Sequence, residues 1–386
     1  MKKIFLTLPL LAIGFTACSQ QKQNKRSDLM LSKAPKIEKP VQDTVLTLDD
    51  FLSDNPYLDQ KVEEYFSKLD DTSRVAQTLM PAMGRLGYST PTIFRLVRQR
   101  KIGGILMLNG SKQQFTQWID SINAINKELG VPGFLYSADA EPSLFNRKIT
   151  GTKIVKKANE VKSIEEVKQV ADTIASELNE IGINYDFAPV VDMSKNATVG
   201  YRGFGLKPEH IVPWSDEFIQ QMQDNGIIAT AKHFPGHGLV SGDSHKSLQT
   251  IDGELKEIHN YPQLIKDGVL SIMIGHLAVI NNPKYNTNDL PATLSPVIVT
   301  KLLRGEFGFK GIVITDAMNM GGVASVPNCE EKAIAAGCDI ALMPVNTDKA
   351  FKDIYTRYHK DATYKDRVDD AAKRVIRMKF CLGILK

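Results

Sequence analysis

Short apolar runs alternate with longer stretches in which apolar residues recur at helical spacing along most of this chain. Residues 78–83, 103–108, 133–137, 183–191, 227–232, 270–274, 311–315 and 339–343 are apolar runs of strand length. Between them, residues 112–129, 164–181, 208–224, 255–266, 296–307 and 330–336 carry the three-to-four-residue periodicity of amphipathic helices. Eight strands alternating with helices predict an α/β chain folded as a (β/α)8 barrel. A doubly wound open sheet gives a similar alternation, and periodicity does not separate the two. The count of eight favours the barrel.

The flanks read differently. Residues 59–69 and 366–385 are amphipathic, and Asp70-Asp71-Thr72-Ser73 is suited to starting a helix between the first of these and the first strand. The basic helix at 366–385 is expected to pack rather than to bind a membrane. Met1-Lys2-Lys3, the apolar run from Ile4 to Phe15 and the small residues Thr16-Ala17 before Cys18 have the form of a secretory signal with a lipoprotein cleavage box. Residues 1–17 are thus expected to be removed, Cys18 to become the lipidated first residue, and the protein to sit on the cell envelope through that lipid. From 18 to 45 the chain is rich in Gln, Lys and Pro and suits a tether; residues 46–386 form the single folded domain. Cys329, Cys338 and Cys381 are scattered and odd in number, so they are expected as buried thiols. A formal charge of +4, falling to +2 without Lys2 and Lys3, makes no case for a nucleic-acid partner. A monomer is expected.

The densest chemistry lies after the fifth run. Lys232-His233-Phe234-Pro235-Gly236-His237-Gly238 leads through Gly242 to Asp243-Ser244-His245, and its Pro and Gly residues force a loop. Asp243 can orient one ring nitrogen of His245, leaving the other to move a substrate proton. A Gly-rich surface turn with solvated polar side chains is the plainer reading. In a barrel the chemistry gathers at strand C-termini. Asp139, Glu141 and Arg147 follow the third run; Asp192 and then Arg202 follow the fourth; His276 follows the sixth and Asp316 ends the seventh. Asp316 is either a carboxylate aimed into the barrel mouth or a helix cap.

Lys232-His233-Phe234-Pro235-Gly236-His237-Gly238 with Asp243-Ser244-His245 resembles the signature loop of the bacterial β-N-acetylglucosaminidases of glycoside hydrolase family three, and the likeness extends over residues 59–386. The resemblance favours the barrel. It implies an exo-acting, retaining enzyme that needs no metal or organic cofactor and releases terminal β-linked GlcNAc from peptidoglycan fragments or chitooligosaccharides. It implies Asp316 as nucleophile, His245 steered by Asp243 as acid and base, and Asp139, Arg147, Arg202, Lys232 and His233 as sugar-hydroxyl ligands. The segment from Asp139 to Arg147 keeps the family's first Asp, its Glu and its last Arg, but Pro142-Ser143-Leu144 replace a Gly-Gly-Arg, leaving that loop's shape open. His237 and His276 are either loop and wall residues of the site or structural histidines. Two rival readings stand beside this one. In the first, His233, His237, Asp243 and His245 are ligands of a metal-dependent barrel hydrolase. In the second, the protein is a saccharide-binding lipoprotein without catalysis.

Overall fold

The computed structural model describes residues 45–193, 195–196 and 199–386. Cys18 and the signal and tether expected around it lie outside the described residues.

The eight apolar runs all become strands, each shorter than its run. They are β1 (Leu79–Met80, resuming after Pro81 as Ala82–Met83), β2 (Gly104–Met107), β3 (Leu135–Ala138), β4 (Tyr185–Asp186), β5 (Thr230–Phe234), β6 (Ser271–Ile274), β7 (Ile312–Thr315) and β8 (Ala341–Leu342). All pairings are parallel and follow chain order. β1 pairs with β2, β2 with β3 and β3 with β4. The bridge Tyr185–Ile228 carries the sheet towards β5, which pairs with β6, and β6 with β7. A bridge from Ile314 to Ile340 reaches β8, whose Ala341 and Leu342 pair with Leu79 and Met80. That last pairing closes the ring, so the open sheet is excluded.

Alternation along the strands explains why each read as a continuous apolar run. Leu106, Leu135, Met273, Ile312 and Ile314 face one buried cluster, while Ile105, Met107, Tyr136, Ile272 and Val313 face the other. Both faces are buried, as in parallel barrels generally. The first cluster fills the barrel and includes Leu58, Val62 and Phe66 from the helix Pro56–Ser67 and Val375, Ile376 and Phe380 from the helix Ala362–Cys381. These two helices pack together, with Tyr65 edge-on to Phe380 at 5.7 Å.

Helix ends follow their caps. Ser111 and Ser163 accept the N–H of Gln114 and Glu166 at the starts of Lys112–Leu129 and Ile164–Ile181. Gly130 and Gly182 end them in left-handed backbone (φ +61° and +92°). The expected helix 255–266 is instead a 3-10 segment, Lys256–Asn260, followed by α-helix Tyr261–Lys266, where Pro262 can only begin a helix. Residues Val297–Glu306 wind as a π-helix. The C-terminal helix starts before residue 366, at Ala362, because Asp361 caps it through the Tyr364 N–H.

Candidate active site

Three strand ends supply a cluster of ionic groups at the barrel mouth. Lys232, from β5, is 1% exposed; its Nζ lies 3.0 Å from Asp139 Oδ1 and 2.5 Å from Glu141 Oε1. Arg202 binds the same Glu141 with both arms, Nε to Oε2 at 2.8 Å and Nη2 to Oε1 at 2.6 Å. Asp139 also pairs with Lys148. Burial alone would raise both acids. Lys148 and Lys232 instead draw Asp139 far down, and Arg202 and Lys232 bring Glu141 to about 2. Asp186, from β4, accepts only the Ala140 N–H (2.8 Å) and has one oxygen without a partner. Burial, with Asp139 and Glu141 nearby, pushes it up to about 8. It therefore carries a proton at neutral pH, and two carboxylates face three cations.

The loop after β5 is bound to the segment after β4 by buried acids. Asp192 Oδ2 accepts the His233 Nδ1–H at 2.6 Å, and Oδ1 accepts the His237 N–H at 2.8 Å. This leaves His233 Nε2 for the pocket. Glu257 accepts three backbone N–H groups, from Met193 (2.6 Å), Gly238 (3.1 Å) and Leu239 (3.1 Å). Burial and the Asp192 charge raise the Glu257 pKa. Gly236 is required here, since a Cβ would lie 2.4 Å from the Glu257 side chain. Asn196 ties Val240 O and Gly242 O to the same segment.

At the loop's far end, His245 Nδ1 donates to Asp243 Oδ1 at 2.9 Å. Burial works against Asp243, but the two hydrogen bonds from His245 hold it below the usual carboxylate range. His245 is 59% exposed, so Nε2 is open to solvent and ligand. The dyad docks on the loop after β7, where Gly321 N–H donates to His245 O (2.9 Å) and Gly322 N–H to Ser244 O (3.0 Å). His237 Nε2 and Ser244 Oγ are 2.8 Å apart and join the loop's two ends. Beyond the dyad, Gln249–Asp252 pairs with Leu277–Ile280, which follows β6.

Asp316 closes the set from the end of β7. Its Oδ1 accepts the Ala317 N–H at 2.8 Å. Burial opposes its ionisation; the imidazoles of His233 and His276 and the Ala317 N–H override that and lower the pKa. Fully buried His276 donates from Nε2 to Ala317 O (2.9 Å). Burial lowers its pKa, and with Nε2 donating, Nδ1 is placed to accept the Thr293 hydroxyl at 2.9 Å. Asp139, Arg202, Lys232, His233, His245 and Asp316 line one cavity of about 660 Å³. A carboxylate and an imidazole with one open ring nitrogen thus line the same cavity as the ionic cluster.

Arg147 lines that cavity too, but its side chain is exposed and has no partner among the described residues. The neighbouring Lys148 binds Asp139 instead. Lys148 carries no motif signal in the sequence, and Glu141 is legible there as an acid after the third run and a motif match, but not as the partner of Arg202 and Lys232. Glu257 had no signal at all, since its loop contacts are made across the fold. His237 and His276 are tied to Ser244 and Ala317, and neither lines the cavity. Among the described residues, no group of three or more His, Cys, Asp or Glu side chains is arranged to hold a metal ion. Cys329, Cys338 and Cys381 are buried and free.

A closed parallel barrel with its ionisable groups at the strand C-termini has the layout of the (β/α)8-barrel enzymes. Within that class, the chain belongs to glycosyl hydrolase family 3, whose N-terminal domain matches residues 72–378. A β-N-acetylglucosaminidase/β-glucosidase of Cellulomonas fimi is 30% identical over 58% of this chain and 42% of its own length. The β-hexosaminidase A of Pseudoalteromonas piscicida is 29% identical over 70% of this chain and 49% of its own. The chain thus spans less than half of these two relatives. Among solved structures, a family 3 β-N-acetylglucosaminidase from Paenibacillus sp. superposes with a TM-score of 0.75 at 27% identity, covering 82% of this chain and 63% of that one.

Proposed function

We propose that the protein is a retaining exo-β-N-acetylglucosaminidase acting on saccharides with a terminal β-linked GlcNAc. The observation that carries this is the Asp243–His245 pair, bonded at 2.9 Å, on a loop that brings His245 to the same cavity as Asp316. The names of the relatives that share the barrel support it.

Asp316, held ionised, attacks the anomeric carbon while His245 Nε2 gives its proton to the departing oxygen. The C–O bond to the leaving group breaks as the Asp316–C1 bond forms. His245, now neutral, takes a proton from water, which attacks C1 and releases the sugar and the Asp316 carboxylate. Asp139, Arg202, Lys232, His233 and Arg147 hold the ring hydroxyls, each charged hydrogen bond contributing roughly 1.5–3 kcal/mol. Paired aryl β-N-acetylglucosaminide and β-glucoside substrates test the assignment. Turnover of the first with little of the second is expected; equal turnover, or none of either, overturns it. The signal-like start of the chain supports a companion proposal, that Cys18 carries the lipid that holds the enzyme on the envelope. Cys18→Ala should release the protein from membranes, and full retention would contradict it.

A further inference from the structure

Beside the cavity runs a groove of about 910 Å³ between the loops that follow β1, β2 and β3. It shares Arg85, Asn109 and Arg147 with the cavity, and neither Asp316 nor His245 lines it. A sugar with its anomeric carbon at Asp316 and its hydroxyls at Asp139 and Lys232 therefore meets the groove at its non-anomeric end.

The groove's chemistry is one-sided. Arg85 and Arg147 are both exposed, and among the described residues neither guanidinium has a hydrogen-bonding or ionic partner. No Asp or Glu lines the groove. The two carboxylates nearest in sequence to Arg147 are already held, Glu141 by Arg202 and Lys232 and Asp139 by Lys148 and Lys232. Asn109, which also lines the groove, adopts left-handed backbone (φ +55°). Its Oδ1 is buried without a partner among the described residues. Half-buried Trp118 adds an aromatic surface, packed at 5.9 Å on Phe115, for the apolar face of a sugar or its substituent. Unpaired guanidinium groups are matched by planar or tetrahedral oxyanions, which they bind with two parallel hydrogen bonds.

We infer that this groove is an oxyanion subsite for a substituent on the terminal sugar, so that the protein takes N-acetylhexosaminides whose terminal ring carries a carboxylate or a phosphate at its non-anomeric end. This rests on the hydrolase reading above and adds a substrate class to it.

The test uses the full-length protein and aryl β-N-acetylglucosaminides that are unsubstituted, 3-O-carboxymethylated or 6-O-phosphorylated. Each anionic substrate is compared with its uncharged amide or dimethyl ester. The expected result is a preference for at least one anionic substrate over its uncharged partner, which shows whether carboxylate or phosphate is the ligand. Arg85→Gln should cut that preference about tenfold, the worth of one charge-assisted pair, and Arg85→Lys should restore part of it. High salt should weaken the preference in the unmutated protein as well. No preference for either anion, or a preference that survives both Arg85→Gln and Arg147→Gln, overturns the subsite. The unsubstituted substrate keeps the two readings apart: if it is turned over, failure of the anionic arms counts against the groove alone.

Discussion

His245 gives up a proton only where the leaving oxygen needs one. A nitrophenolate departs unaided, whereas a sugar alkoxide does not, so His245→Ala should cost the first step ~10²–10⁴-fold for the latter and little for the former. Burst kinetics on the two substrate types measure this, and equal losses would remove the acid role. Asp186 gives a second residue-scale prediction. Its pKa is raised from 3.8 to about 8, so the folded state keeps a proton that the unfolded chain has lost. Between those values its contribution to stability falls as pH rises. Asp186→Asn should remove that fall, which thermal denaturation of both proteins from pH 4 to 8 would show as a flatter profile for the variant. Residue identity was only partly legible beforehand. Asp139, Lys232 and Asp316 stood out because a charge ended an apolar run. Arg147 and Lys148 are adjacent cations, and only the fold shows that the second one turns to Asp139.

The loop from 235 to 248 works as an element because both of its ends are fixed. Glu257 holds its root through the Gly238 and Leu239 N–H groups and ties it to the Met193 N–H after β4, and Gly321 and Gly322 receive the dyad. Gly321 permits this approach, since a Cβ there would lie 2.3 Å from Lys246 O. Glu257→Ala leaves those N–H groups unpaired and should displace His245 while sparing Asp316. The expected signature matches loss of the acid: kcat falls for alkoxide leaving groups far more than for nitrophenolate. A uniform loss across leaving groups would assign Glu257 to general stability instead. Elements whose ends carry a Ser cap and a Gly stop were legible to the residue. The loop's anchors were not, because Asp192 meets His233 and His237, and Glu257 meets Met193, Gly238 and Leu239, only once the chain has folded.

At the scale of the whole molecule, eight apolar runs announced eight strands, but the pairing of β8 with β1 that closes the ring has no signal in either segment. Ring closure also relies on a buried hub at β8. Asp339 accepts Arg304 (2.6 Å), Arg367 (2.9 Å), Arg374 (2.6 Å) and the Val313 N–H (2.8 Å). Those three guanidinium groups overcome its burial and lower its pKa. Asp339→Asn would leave three cations around an uncharged amide and should destabilise the fold by about 3–5 kcal/mol. Chemical denaturation measures this, and a loss below about 1 kcal/mol, the worth of an exposed pair, would show the hub to be dispensable.

Trapping the glycosyl-enzyme tests the central claim most directly. A slow fluorosugar derivative of GlcNAc, followed by proteolysis and mass spectrometry, is expected to place one covalent sugar on Asp316, with Asp316→Ala abolishing both adduct and turnover. An adduct on another residue, together with turnover surviving in Asp316→Ala, would contradict it.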